Sequence, residues 1–546
     1  MSEIYDFIIA GGGTAGCVLA RQLSNDSRHR VLLVEAGPSD ESFLIKMPKG
    51  FGKLMTDPNH CYFYDTDNHE RVKGARPEKW WRGKVIGGSS AVNGMVYHRG
   101  QPQDYDRLTE LGLAGWSWQD VLPYFVKLEN HKLPATPWRG RGGPLDIMLH
   151  PERPRLSEAI LDAGAALGLP RKEEPNLPEQ EGISYIAYNI NARGERVSAG
   201  KAFLTPEVRR RPNLHILTHT RVDRILFEDR RAIGVACTLQ DGSKQQYRAA
   251  REVILSAGAI HSPQLLQLSG IGPAELLNLH GIPLLQDLPG VGRNMREHWH
   301  FWFQFRLRHA QDSENREYSG ARLLKHVLNY LLFRRGLMSW GSTQMVAFVR
   351  TRPELDRPDA QLMFAPYSLD FEAMAKGGAA MEKQPGMHFF GYPLRGTSQG
   401  SIRIESTDIA RLPQISPNYL STEYDQQVTI GLVRAIRRLM SQSSLKPYVE
   451  GEIGATLGVQ TDHEIIDYAR RFGSTSYHAC GTCKMGADGD PMAVLDARLH
   501  VRGVEGLRVM DVSILPEQLS ANPNGPVMAL AWRAADLILQ DARGVA

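Results

Sequence analysis

The sequence predicts an α/β protein: a nucleotide-binding domain assembled from separated segments, interrupted by an inserted α+β domain on a mixed or antiparallel sheet. Three observations predict it. Residues 4–36 read as strand, glycine turn, helix and strand, a βαβ unit. From about 300 to 460 the character changes, and strands such as Phe301–Phe305 and Ile402–Ile404 alternate with helical pattern at 424–440. After about residue 500 the chain returns to a strand, Leu507–Asp511. It then loops through 522–525 into a last apolar helix, Val527–Leu539.

The intervening elements follow from periodicity. Residues 75–100 are glycine-rich with little periodicity and are expected to form a long ordered loop. Leu156, Ile160, Ala163 and Leu167 fall on one face of a helix over 156–168. Three β-rich runs follow, Leu214–Leu217, Val222–Phe227 and Val253–Leu255. The expected division is 1–155, 195–300 and 465–546 for the first domain, and 156–194 and 301–464 for the second. Residues 323–335 pair apolar positions every four residues with nearby basic ones. Such a helix usually packs on its own domain, although contact with a membrane surface is the alternative.

Composition excludes several classes. With 546 residues the chain is long enough to bury about three quarters of its unfolded surface and needs no staples. Lys+Arg 64 against Asp+Glu 60 leaves +4, which does not describe a dedicated nucleic-acid binder. Five cysteines cannot form a disulfide framework, which suits a reducing cytoplasm. The C-x-x-C of Cys480 and Cys483 has no second pair, so it reads as two small residues in a tight loop rather than a zinc or redox site. The first apolar run, Phe7–Ala10, ends at glycines and has no basic lead-in, so it is expected to be a strand and not a signal peptide. No run approaches the 18 apolar residues a membrane span needs. What stands out is glycine: 52 residues, bunched rather than spread.

The first bunch, Gly11-Gly12-Gly13-Thr14-Ala15-Gly16, fits G-x-G-x-x-G between a strand and a helix, and Glu35 follows 19 residues after Gly16. Gly11 permits the tight turn, Gly13 lets backbone approach a pyrophosphate, and Gly16 lets helix and strand pack closely. The helix N-terminus offers free N–H groups to the anion, while Glu35 can accept from ribose hydroxyls. This turn alone does not separate FAD from NAD.

Two further bunches decide it. Trp80 through Gly94 contains Gly83, Gly87, Gly88 and Gly94, and Gly258-Ala259-Ile260-His261-Ser262-Pro263 continues to Gly270 and Gly272. Together with Gly290–Met295 and Leu412–Leu420, they resemble the signature segments of the glucose–methanol–choline (GMC) oxidoreductases in the right order. The resemblance runs from residue 5 to about 540. It implies a Rossmann-type FAD-binding domain with an inserted substrate domain. It implies Thr14 and Ala15 at the pyrophosphate, Glu35 and Ala36 at the adenosine ribose, and the Val222 backbone at the adenine edge. Trp81, Asn93, Gly94, Met95 and Val96 would line the flavin. Gly87, Gly88, Tyr477, Asp511, Asn522 and Pro523 complete the expected cofactor contacts. Members with covalent flavin carry His where this chain has Val92, so the FAD is expected to be dissociable.

The same resemblance points to His478, in Ser476-Tyr477-His478, as the catalytic base, and to Asn522, 44 residues on, as its partner. The residue types suit the chemistry. Oxidising an alcohol requires loss of the hydroxyl proton, and a neutral imidazole with a pKa near 6.5 is suited to take it. An Asn amide can donate to the developing alkoxide without competing for the proton. The implied function is FAD-dependent oxidation of a primary alcohol to the aldehyde, with a quinone or other non-oxygen acceptor. An oxygen-using alcohol oxidase and a non-redox hydroxynitrile-lyase-like member are the alternatives. His298 and His300 lack a third ligand at a telling spacing, so no metal is expected. Trp302, Trp340, Phe364, Tyr367, Phe389 and Phe390 are expected to divide between a substrate pocket and the core.

Overall fold

A computed structural model describes residues 3–68, 77–371, 373 and 381–544. Residues 75 and 76 of the expected loop lie outside them. The N-terminal strand Ile4–Ala10 is apolar and buried after its first residues, because parallel neighbours cover it on both sides. It sits in a seven-stranded sheet with the spatial order 221–228, 231–238, 244–255, 4–10, 31–34, 214–217, and Leu507–Val509 pairs with the end of 244–255. The strand Lys244–Leu255 has two roles. Its first half closes an antiparallel meander, and its second half lies parallel between Ile4–Ala10 and Leu507–Val509.

The helix Thr14–Leu23 starts directly at the glycine turn. A Cβ on Gly16 would stand 1.9 Å from the Gly11 carbonyl oxygen, so only glycine lets this helix lie so close to its strand. The C-terminal helix Asn524–Ala542 packs beside it, and its start, with Pro523, reaches the same edge of the sheet.

The second sheet is antiparallel throughout, in the order 449–453, 299–307, 386–393, 360–365, 345–349, 182–185. Strand alternation gives it two faces. Phe301, Phe303, Phe305, Phe364 and Phe389 point into a core completed by Leu156 and Ile160 of helix Arg155–Ala166 and by Val428, Leu432 and Ile436 of helix Glu423–Met440. Trp302, Met363, His388 and Phe390 point the other way, into a cavity.

Two expectations change. The stretch 75–100 is not all loop: Lys79–Gly83 pairs antiparallel with Cys61–Asp65, a hairpin hidden from periodicity because the run Trp80-Trp81-Arg82 does not alternate. The amphipathic segment is helical over Gly320–Phe333 but packs through a narrow face only, Leu323, Val327 and Tyr330 against Leu44, Met47 and Met338.

Candidate active site

A single cavity of about 780 Å³ joins the edge of the first sheet to the free face of the second. Gly11, Gly13, Thr14, Ala15, Glu35 and Ala36 line one part of it, with Val222, Asp511 and Pro523. Trp81, Gly88, Val92, Asn93, Gly94, Met95, Val96, Tyr477, His478 and Asn522 line the part between the sheets. Two expected contacts are not there. Gly16 is inside the helix–strand packing, and Gly87 supports the loop from behind, donating to the Gly12 carbonyl at 2.8 Å. Gly87 therefore shapes the site without lining it.

The two glycine turns are built against each other. A Cβ on Gly88 would approach Gly13 Cα to 2.7 Å, and Gly88 itself has φ +52°. A Cβ on Gly94 would meet no atom within 4 Å, because that residue opens onto the cavity. Glu35 accepts from Gly12 N at 2.9 Å and Gly37 N at 2.8 Å, and burial pushes its carboxyl up to about 7 despite them. Thr14 Oγ1 donates to Asn524 Oδ1 at 3.0 Å, tying the first helix to the last.

The loop carrying His478 is held by two buried carboxyls. Thr475 N donates to Glu78 Oε1 at 2.6 Å, and His478 N donates to Glu297 Oε1 at 2.7 Å. Between them Tyr477 adopts a left-handed φ of +64° and lays its ring on Trp81, 4.3 Å between centroids. Such a conformation costs about 1–3 kcal/mol and persists only where the surroundings fix it. Glu297, pushed up to about 7 by burial, faces Arg82 at 3.8 Å.

The ring of His478 sits in a chain whose donors can be assigned. His298 Nε2 lies 2.8 Å from the Leu394 carbonyl oxygen, which can only accept, so Nε2 carries the proton. Burial pushes His298 down to about 4, so the ring is neutral and its Nδ1 is an acceptor. His478 Nδ1, 2.9 Å away, must then be the donor. That leaves His478 Nε2 with a lone pair, 3.3 Å from Asn522 Nδ2. The Asn522 amide is fixed in turn: its Oδ1 receives His98 Nδ1 at 2.9 Å, Gln361 Nε2 at 3.2 Å and the Tyr392 hydroxyl at 3.3 Å. Burial holds His478 well below the ordinary histidine range, and the neighbouring His298 adds to this.

Sequence reasoning missed the supports. Glu78, Glu297, His298, Tyr392 and Arg196 carry no motif of their own. Arg196 is wholly buried, pushed down to about 9 by burial, and donates to Asn93 O at 2.7 Å and Ser90 O at 3.2 Å. His298 and His300 lie against His478 and Ser476, and no group of three ligating side chains occurs among the described residues. Of the expected aromatics, Trp302, Tyr367 and Phe390 line the cavity. Phe364 and Phe389 fall on the opposite strand faces, and Trp340 packs elsewhere. Cys480 and Cys483 are free and buried off the cavity, with the Cys480 thiol pushed up to about 12 by burial.

The cluster has a consequence for stability. Burial pushes His98, His150, His298 and His388 down to about 4 and His300 to about 3, against about 6.5 when unfolded. Their contribution is present above pH 6.5 and is lost as pH falls toward 4, because the unfolded chain takes up the protons first. Glu35 and Glu297 act oppositely between about 7 and 4.5, and Glu78 and Asp511, whose carboxyls burial also raises, act in the same sense, but these are fewer than the histidines. The expected result is a stability, and with it an unfolding temperature, that falls between pH 6.5 and 4.5, the free energy by about 1.4 kcal/mol per pH unit for each uncompensated histidine. Calorimetry across that range checks it, and a flat profile would contradict the buried neutral cluster.

A glycine turn on a helix N-terminus opens into the same cavity as a polarised histidine–asparagine pair, the layout of an oxidoreductase that holds a dinucleotide cofactor. The chain belongs to the GMC oxidoreductase family, whose N-terminal model matches residues 5–300 and whose C-terminal model matches 396–531. It is 38% identical over 544 residues to the mitochondrial choline dehydrogenase of Mus musculus, covering 98% of this chain and 89% of that protein. It is 38% identical over 547 residues to the oxygen-dependent choline dehydrogenase of Vibrio vulnificus (strain YJ016), covering 99% and 95%. Among solved structures it resembles pyridoxine 4-oxidase from Mesorbium loti, at a TM-score of 0.87 and 31% identity over 97% of this chain and 98% of that one. A formate oxidase superposes at a TM-score of 0.89 with 25% identity, covering all of both chains. The cofactor is FAD, and the cavity's glycine cradle and open wall at Gly94 fit it.

Proposed function

We propose that this protein oxidises a primary alcohol with an apolar body to the aldehyde and passes the electrons to a quinone or another acceptor than dioxygen. The observation that carries the reading is the chain from Leu394 through His298 to His478, which leaves an unprotonated Nε2 beside the Asn522 amide in the cavity wall.

In this reading the backbone around Gly11 and Gly13, with Thr14 and Ala15, holds the FAD pyrophosphate at the helix N-terminus. Glu35 and Ala36 take the ribose, and the Val222 backbone takes the adenine edge. Trp81, Gly88, Asn93 through Val96, Tyr477, Asp511, Asn522 and Pro523 enclose the flavin. Bound FAD supplies the two-electron acceptor for the hydride leaving the alcohol carbon. His478 Nε2 takes the hydroxyl proton, which burial favours by keeping the imidazole neutral. Asn522 Nδ2 donates to the oxygen as its charge grows, and three donors on Oδ1 prevent the amide from flipping. Trp302, Met363 and Phe390 provide an apolar wall that excludes water.

The described lining residues from the second sheet include no carboxylate, which favours a neutral alcohol. A second reading is a quaternary ammonium alcohol. Trp302, Tyr367 and Phe390 together could supply aromatic faces for such a cation, and relatives are named for choline. An anaerobic panel of benzyl alcohol, 1-octanol and choline, followed at the flavin absorbance, tests both. Bleaching by the neutral alcohols and recovery with a quinone faster than with air is expected. Prompt recovery in air with peroxide would mean an oxidase, and turnover of a cyanohydrin without bleaching would mean a lyase.

Attachment is separately testable. Val92 offers no nucleophile at its place in the cavity wall, so the flavin is proposed to be dissociable from that site. Acid precipitation should leave the yellow colour in the supernatant, and colour kept in the pellet would overturn this. All five cysteines are unpaired, and the proposed compartment is the cytoplasm.

A further inference from the structure

The helix Gly320–Phe333 presents two apolar faces. Leu323, Val327 and Tyr330 face the protein. Leu324, Leu328, Leu331 and Leu332 form a stripe on the other side, exposed by 59%, 47%, 46% and 72%. Phe333 at the helix end is exposed by 64%. Scattered exposed leucines are ordinary, but a run at i, i+4, i+7 and i+8 on one helix is a contiguous patch. The other large exposed apolar residues, such as Leu279 or Leu457, are scattered along the chain. Charge around the stripe is basic. Lys325 borders it and Arg335 follows it, and neither makes an ion pair among the described residues. Arg322 is tethered to Glu317, and Arg334 lies over the rings of Phe43 and Tyr330. No helix among the described residues is long and apolar enough to cross a membrane. A short amphipathic helix, apolar outward and flanked by unpaired cations, matches an element that lies in the plane of a lipid interface.

We propose that this helix docks the protein on the surface of an anionic phospholipid membrane. The leucine stripe enters the boundary between headgroups and acyl chains, while Lys325 and Arg335 meet lipid phosphates. The unpaired cations favour this occupant over a second copy of the chain, whose identical stripe would bring like charges together. Placement gives the docking a use. The inward face of the helix rests on Leu44 and Met47, and the same segment continues to Phe51 and Met55 in the cavity wall. An apolar alcohol or a lipid-soluble acceptor would thus meet the wall of the reaction cavity close to the bilayer. The docking itself holds whichever alcohol or acceptor is used.

Flotation of the holoenzyme with vesicles of phosphatidylcholine and phosphatidylglycerol (70:30) tests it, against pure phosphatidylcholine. The full chain should float with the anionic vesicles, several-fold more than with neutral ones, and less at high salt. The triple variant Leu324→Ser, Leu328→Ser, Leu331→Ser should lose at least about 10-fold in partitioning, since three of the apolar side chains that enter the lipid are replaced by polar ones. Lys325→Glu with Arg335→Glu should abolish the preference for anionic vesicles. Activity on a water-soluble alcohol with a soluble dye acceptor should be unchanged in both, which shows that they fold. No flotation of the wild type, or equal flotation of the triple variant, overturns the proposal. So does sedimentation showing a lipid-free dimer that the triple variant dissociates, because the stripe would then be an interface between copies.

Discussion

Replacing His478 with Ala should leave the protein yellow and folded yet slow anaerobic flavin reduction by alcohol by 100-fold or more, from the usual contribution of a positioned general base. The ring lines the cavity but the hydrogen bond that anchors its loop to Glu297 comes from the His478 backbone, so the alanine keeps it. FAD content, read from the ratio of flavin to protein absorbance, should therefore stay at the wild-type value. The effect should be larger for alcohols of high pKa than for activated ones, because an acidic hydroxyl needs less help. The wild-type rate should also stay high below pH 6.5, since burial holds His478 below its ordinary range and the base stays unprotonated. Bleaching at the wild-type rate in the variant would remove His478 from the chemistry and assign the proton to another base.

The fold was legible where the sequence pattern and the structural constraint coincide. Gly11 through Gly16 announce a helix pressed on a strand because no other residue fits at position 16. The final helix was legible from its apolar run, and the inserted sheet from its alternating aromatic strands. The hairpin at Lys79–Gly83 was not, because both tryptophans find cover from different elements: Trp80 in the core below and Trp81 against Tyr477. In the site, His478 and Asn522 were legible only through resemblance, since eighteen histidines look alike in composition. Glu78, Arg196 and His298 could not be read at all. Each acts across more than 100 residues of chain on a backbone atom or a ring nitrogen, and local sequence does not encode such contacts. The exposed leucines of 324–332 show the reverse limit. Helical periodicity found an amphipathic segment but could not say which of its apolar residues the protein would cover.

Replacing His298 with Leu should slow flavin reduction by about 10- to 100-fold while leaving the alcohol concentration for half-saturation and the FAD content near wild type. His298 borders the reaction through His478 and acts as a positioning residue. Its Nε2–H is committed to the Leu394 carbonyl, and this makes its Nδ1 the acceptor that keeps the proton of His478 on Nδ1. Leucine removes the acceptor. The buried N–H of His478 is then unpaired, and the ring gains by turning or by moving its proton to Nε2, where it can no longer accept from the alcohol. A ring in the wrong tautomer lowers the rate constant of the chemical step without altering the aromatic wall that binds the alcohol. The Asn variant separates this from simple damage. His298→Asn can place a carbonyl oxygen near the lost Nδ1 and an N–H toward Leu394, so it should recover much of the rate that leucine loses. Equal rates in the Leu variant and wild type would show that His478 holds its tautomer unaided. Equal losses in the Leu and Asn variants, or a rise in half-saturation with no loss in rate, would assign His298 to packing or substrate binding and not to the orientation of the base.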